Sequence, residues 1–227
     1  MNISVLIPAY NEEKRIGKTI ESVKKSRYVN HIVVIDDGSK DDTAYIAKKF
    51  GVCVIRLNTN KGKGYALSCG LKCVTNKSDI VVFLDADLGE SAIEVDKLIK
   101  PLLRNECDVT IAKFKTFGNK KGGFGFVKFL SKKGVKYFTD IDFDNSLSGQ
   151  RAFKVEVLKK IKKIPKKFGV EVGMTIDILN LGYSIKQVEV DMKHRITGRD
   201  IKGFLHRSRQ FYEILTTLLL RALRCNK

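Results

Sequence analysis

Tryptophan is absent from the 227-residue chain, and proline (three), histidine (three) and cysteine (five) are scarce. The five cysteines, Cys53, Cys69, Cys73, Cys107 and Cys225, are odd in number and lack zinc-ligand spacing, and no histidine lies near Cys69 and Cys73. This argues against a disulfide framework or a zinc module and predicts reduced thiols in a cytoplasmic protein. The N-terminal apolar run 3–7 is too short for a signal peptide or a membrane span. Acid is short as well, with 25 Asp and Glu against 43 Lys and Arg, a net charge of +18. Residues 1–110 hold 17 basic and 15 acidic groups, for +2, whereas the remainder holds 26 and 10, for +16. The basic half suits nucleic acid, an anionic membrane surface or a phosphorylated acceptor.

What the chain does have is a composition able to bury a core, 43% hydrophobic and 30% charged, in keeping with one ordered domain over 1–227. Residues 3–7 read as an apolar strand stopped by Pro8, and residues 12–25, with Ile16, Ile20 and Val23 at helical spacing, as a helix. The pattern repeats: strand 31–35, loop 36–42, helix 43–50, strand 52–57, helix 65–73, strand 80–84, helix 92–103 and strand 108–112. A glycine- and lysine-rich loop over 118–125 precedes a helix at 126–138. A turn and strand then lead into a helix at 155–161, a helix at 172–181, a strand at 184–190 and a final helix at 201–223. Short strands alternating with helices predict an α/β fold with a mainly parallel central sheet flanked by helices. Ligands of such sheets collect at the carboxyl ends of the strands, where loops converge and helix N-termini present unpaired N–H groups.

Asp85 and Asp87 leave the apolar strand at such an end. Two carboxylates on alternate residues meet at one point when the backbone turns there, and a hard cation favours that turn. Mg2+ or Mn2+ combines one or two carboxylates with substrate phosphates, which suits an ion bridging a diphosphate. The loop around Lys63 is flanked by glycines that let backbone approach phosphate. It lacks the GKS or GKT ending of a P-loop and the GxGxxG dinucleotide fingerprint, so ATPase and dehydrogenase readings fall.

In order and spacing, VLIPAYNEE (5–13), VVIDDGSKDDT (33–43), NKGKGYAL (60–67) and FLDAD (83–87) resemble the nucleotide-binding half of the family 2 glycosyltransferases, similar to the branch acting on polyprenyl or dolichyl phosphate. The resemblance implies a single GT-A domain, with 1–110 binding the nucleotide sugar and 111–227 the acceptor, and a divalent metal at Asp85 and Asp87. It implies a nucleoside contact by Pro8, Tyr10 and Glu12, a base or ribose contact by Asp36 or Asp37, and a diphosphate contact by Lys63, with Ala86 and Lys113 also lining the donor site. By the residues alone, Tyr10 serves core packing as well as base stacking. In the second half, NSLSGQRAF (145–153) resembles the family's acceptor-side segment, and FGVEVGMTIDI (168–178) a helix whose acid lies near the acceptor. Glu171 is the candidate general base, with Asp177 or Asp144 as substitutes; a phosphate acceptor needs none. KHRITGRD (193–200) reads as a basic turn, and the resemblance implies His194 as a third metal ligand and Arg195 as a phosphate clamp. Two departures stand out: Gly89 replaces a glutamine common in this branch, and Lys113 stands near a position where arginine is common.

The last helix sets Phe204, Leu205, Phe211, Tyr212, Leu215, Leu218 and Leu219 on one broad face beside Arg207, Arg209, Arg221 and Arg224. Such a face suits an anionic membrane interface, a core cap or a homodimer contact. The expectation is a cytoplasmic glycosyltransferase, peripheral on the inner membrane face, that uses a UDP- or GDP-linked sugar and a lipid phosphate, a soluble phosphorylated acceptor or a glycan. A nucleic-acid-binding module is the rival. It is disfavoured because acids gather at the strand ends, where they repel nucleic-acid phosphate.

Overall fold

A computed structural model describes residues 1–114, 125–161, 164, 169–193 and 201–225. Seven strands form one sheet: β1 (Ile3–Ala9), β2 (His31–Asp36), β3 (Cys53–Arg56), β4 (Ile80–Phe83), β5 (Val109–Phe114), β6 (Arg151–Lys154) and β7 (Ile185–Val190). Their order across the sheet is β3-β2-β1-β4-β6-β5-β7. The pairings of β6 with β4 and β5 are antiparallel and the other four are parallel. The helices are α1 (Ile16–Lys24), α2 (Thr43–Lys49), α3 (Lys63–Val74), α4 (Val95–Leu103), α5 (Phe126–Thr139), α6 (Val155–Lys160), α7 (Val170–Asn180) and α8 (Ile201–Cys225).

The central strands read as unbroken apolar runs because both faces of the sheet are covered. Period-two alternation splits each run. Val5, Ile7, Val34 and Val82 face α1, α2 and α4, whereas Leu6, Val33, Ile35, Val81 and Phe83 face α3, α5, α7 and α8. Each such fully buried side chain contributes about 1.5–3 kcal/mol.

Three sequence expectations change. Pro8 does not stop β1, which runs on to pair Ala9 with Asp36. The Leu6 carbonyl accepts from Leu84 N–H on the β4 side, so strand alternation turns the position of the missing Pro8 N–H to that same side. The β4 ladder ends there at Leu6 and Phe83, and no ladder hydrogen bond is lost. Residues 12–15 form a turn instead of the first helical turn, with Arg15 and Ile16 N–H both donating to the Glu12 carbonyl. The helix expected at 92–103 divides into a 3-10 turn, Gly89–Glu94, and α4. The loop expected over 118–125 lies outside the described residues except for Gly125.

Candidate functional site

The loops after β1 and β2 lock together at the carboxyl edge of the sheet. Asn11, at a positive φ of 55°, donates its N–H to Ser39 Oγ at 2.9 Å and accepts from Lys40 N–H at 2.9 Å. Glu12 N–H donates to Thr43 Oγ1 at 2.8 Å. Pro8 is half-buried beneath this edge, and Tyr10 stands at the rim, 42% exposed, so its ring is not a core filler.

Asp36 and Asp37 are both buried but do different things. Asp37 Oδ1 accepts from Lys61 N–H at 2.8 Å and Oδ2 from Gly62 N–H at 2.7 Å, clamping the loop that leads into α3. Asp36 Oδ1 accepts from Ser39 N–H at 3.1 Å. Its Oδ2 is buried without a hydrogen bond, 3.3 Å from the Nε of the mostly exposed Arg56. A nucleoside contact by Asp36 therefore needs Arg56 to swing off it. Gly38, at φ +73°, presses against this loop, where an added Cβ would lie 2.7 Å from the Thr59 carbonyl carbon.

The turn carrying Asp85, Ala86 and Asp87 is held from below by Thr19, which sequence reasoning missed. Its fully buried hydroxyl donates to the Ala86 carbonyl at 2.8 Å and accepts from Gly89 N–H at 2.9 Å. Gly89 has φ +56°, a conformation that disfavours a side chain and accounts for glycine where glutamine is common in the resembled branch.

Asp85 Oδ1 accepts from Lys63 Nζ at 2.6 Å and Oδ2 from Gln150 Nε2 at 2.5 Å. Lys63 Nζ also donates to Glu171 Oε1 at 2.9 Å. Lys63 opens α3, Gln150 precedes β6 and Glu171 lies in the first turn of α7, so two distant segments close on the Asp85 carboxylate and Lys63 bridges it to a third. Burial alone would lower the Lys63 pKa, but the Asp85 and Glu171 carboxylates override it and hold the ammonium above the ordinary lysine range. Gly149 makes this possible, because a Cβ there would collide with Lys63 Nζ.

Arg151, also missed, is almost wholly buried. It donates through Nε to the Ser148 carbonyl at 2.7 Å, through Nη2 to the Ser146 carbonyl at 2.7 Å, and through Nη1 to Thr175 Oγ1 at 3.1 Å. Thr175 Oγ1 in turn donates to the Glu171 carbonyl at 2.8 Å. Burial lowers the Arg151 pKa to about 10, partly offset by Glu171.

The other expected residues separate. Lys113 pairs with Glu189 at 3.0 Å between β5 and β7, both well exposed. Asp177 is gripped by Arg221, with Nη2 at 2.7 Å from Oδ2. Asp144 is exposed beside Lys132 at 2.7 Å. That leaves Glu171 as the one of the three base candidates set among the site's polar groups. Asp87, two residues beyond Asp85, is half-buried. His194 and Arg195 lie outside the described residues, and among those described no three His, Cys, Asp or Glu side chains cluster as a metal site. An open groove of about 470 Å3 at the opposite, amino ends of β1–β3 has no carboxylate in its lining.

The family model for Glycosyl transferase family 2 matches residues 4–162. An uncharacterized protein of Methanocaldococcus jannaschii is 39% identical over 196 residues, 84% of this chain and 80% of its own. The UDP-N-acetylglucosamine–dolichyl-phosphate N-acetylglucosaminyltransferase of Methanococcus voltae is 33% identical over 190 residues, covering 71% of this chain and 72% of its own. Glucosyl-3-phosphoglycerate synthase from Mycobacterium tuberculosis, solved with Mn2+, UDP and phosphoglyceric acid, superposes with a TM-score of 0.80 at 29% identity. That superposition covers 97% of this chain and 78% of the synthase; the synthase has also been solved with Mg2+ and UDP.

Proposed function

From the premise that this chain belongs to glycosyl transferase family 2 and is a glycosyltransferase, we propose that it moves a hexose from UDP to a phosphorylated acceptor, with lipid phosphate as the acceptor class. The observation that carries the donor site is the cluster at the sheet's carboxyl edge in which Lys63 and Gln150 donate to Asp85 and Lys63 also bridges to Glu171. The UDP preference is drawn from the Methanococcus voltae relative and the Mycobacterium tuberculosis synthase.

The residues fit a divalent ion. Asp85 and Asp87 are hard oxygen donors on a turn fixed by Thr19, and a cationic group, the Lys63 ammonium, already rests against Asp85. Asp85 and Asp87 would hold Mg2+ or Mn2+, which supplies counter-charge to a departing nucleoside diphosphate. Tyr10 offers an exposed ring to the base, and Lys63 a flexible cation to the diphosphate. Glu171 accepts the proton of an acceptor hydroxyl; toward a phosphate acceptor, which needs no base, it steers Lys63.

Lipid phosphate is favoured by surface chemistry. On α5, Phe126, Phe129 and Tyr137 are 68%, 63% and 76% exposed among Lys128, Lys133 and Lys136. On α8, Tyr212, Leu219, Leu220 and Leu223 are exposed too. Among the described residues no helix is long and apolar enough to cross a membrane, so this surface suits peripheral contact. A soluble phosphorylated acceptor is the second reading, favoured by the superposition on the synthase bound to phosphoglyceric acid.

Asp87→Ala is the test. UDP release from UDP-sugars in Mn2+ falls by roughly a thousandfold, while the circular dichroism spectrum and melting temperature hold. Wild-type turnover in the variant at saturating Mn2+ would remove Asp87 from the site.

A further inference from the structure

Lys63 stands where two duties conflict. The diphosphate contact expected of it requires a cation that reaches substrate, yet its ammonium is spent on Asp85 at 2.6 Å and Glu171 at 2.9 Å. A divalent ion approaching Asp85 Oδ1 meets a positive charge already seated on that oxygen, and the repulsion at such range is severe in a partly dry site. The other oxygen is covered by Gln150. Glu171, for its part, is turned toward Lys63.

Resting on the donor-site reading above, we propose that Lys63 is a displaceable counter-ion: a positioning residue that holds Asp85 and Glu171 together until a nucleoside diphosphate draws the ammonium away, so that metal and nucleotide bind with positive coupling. With the diphosphate present, Lys63 trades two carboxylates for phosphate oxygens, Asp85 is uncovered for the cation, and Glu171 is released in the same movement. Linkage makes the coupling reciprocal, so the metal raises nucleotide affinity by the factor by which nucleotide raises metal affinity.

Gly149 supplies the second observation. An added Cβ would collide with Lys63 Nζ and approach the Asp85 oxygens to 3.2 and 3.3 Å. Its φ lies outside the left-handed region, since Gly149 is not among the positive-φ residues, so alanine carries no backbone strain. The atom struck hardest is the tip of a flexible side chain. The glycine thus reserves the space in which the lysine parks, and a single methyl group evicts the lysine while leaving its charge in the protein.

The experiment measures Mn2+ binding by electron paramagnetic resonance of the unbound ion, with and without UDP or GDP, on wild type, Lys63→Met and Gly149→Ala. Wild type binds Mn2+ weakly alone and about tenfold or more tighter with nucleotide, within the usual range of coupling between sites. Both variants bind Mn2+ about tenfold tighter than wild type in the absence of nucleotide. Their enhancement by nucleotide shrinks toward unity. A purely structural role for Lys63 would not raise metal affinity in any variant. If Lys63→Met fails to fold with two uncompensated acids, Gly149→Ala decides alone. Unchanged nucleotide-free Mn2+ affinity in a folded variant, with the wild-type enhancement intact, overturns the parking role and spares the metal site. Absence of Mn2+ binding from wild type at every nucleotide concentration overturns both.

Discussion

Arg151 is the residue on which the rest of the site leans. Its guanidinium joins the segment bearing Gly149 and Gln150 to α7, which bears Glu171. Two of its acceptors are carbonyls in a region with little water to replace a lost donor, so the cost of removing it is that of stranding those oxygens. Arg151→Met, similar in length but without donors, lowers stability by at least about 2 kcal/mol by that account, read as a shift of the urea midpoint at constant slope. The donor KM rises with it, because Gln150 loses its footing beside Asp85. Arg151→Lys keeps one donor and recovers part of both effects. An unchanged midpoint in Arg151→Met would show that those carbonyls find water, and the bracing role would fall.

At the level of elements, the starts of two strands and the end of a third meet at Asp108. Its carboxylate accepts from Ser184 N–H at 3.0 Å, Ser184 Oγ at 2.7 Å and Lys154 Nζ at 3.1 Å, tying the start of β5 to the end of β6 and the residue before β7. Burial raises the Asp108 pKa, but the Ser184 and Lys154 contacts outweigh it and leave the group below its ordinary 3.8. A depressed carboxylate pKa means that this stabilisation is present above about 3.8 and is lost as pH falls through the folded-state value. Asp108→Asn therefore costs about 1–2 kcal/mol at neutral pH. The gap from wild type closes in denaturation series taken below about pH 3.8; a constant gap across that range would contradict the ionic origin. The same strand edges show what a sequence reveals. Val33, Val34, Val81 and Val82 announce β2 and β4 because local apolar pattern is what they bury, and the acids at 85 and 87 announce themselves by following such a run. Thr19 was illegible because its partners Ala86 and Gly89 lie some 70 positions away in the chain. Arg151 and Gly149 were illegible because their roles depend on Thr175 and Lys63. Pro8 misled because the effect of a missing N–H depends on which neighbouring strand ends first.

For the molecule as a whole, exposed aromatic rings and lysines of α5 coincide with exposed apolar side chains of α8 on one side of the sheet. Helices α5 and α8 pack there, with Leu218 seated against Gly134, and the excess of positive charge belongs to the same half of the sequence. Exposed aromatics beside lysines gain both from inserting rings into an interface and from meeting anionic headgroups. Protein mixed with vesicles that contain phosphatidylglycerol co-sediments, and does so poorly with phosphatidylcholine alone. Binding weakens as salt shortens the screening length below about 10 Å. Phe126→Ser with Phe129→Ser removes two rings, each worth up to about 1.5–3 kcal/mol on full burial, and cuts the partition coefficient more than tenfold. Both rings stand in solvent and carry no core packing, so turnover of UDP-sugar with a soluble acceptor mimic is unaffected. Suppose instead that no vesicle is bound at any ionic strength, while light scattering shows a dimer that the same two substitutions dissociate. The aromatic face is then a contact between two copies, the membrane drops out of the account, and the phosphorylated acceptor must come from solution.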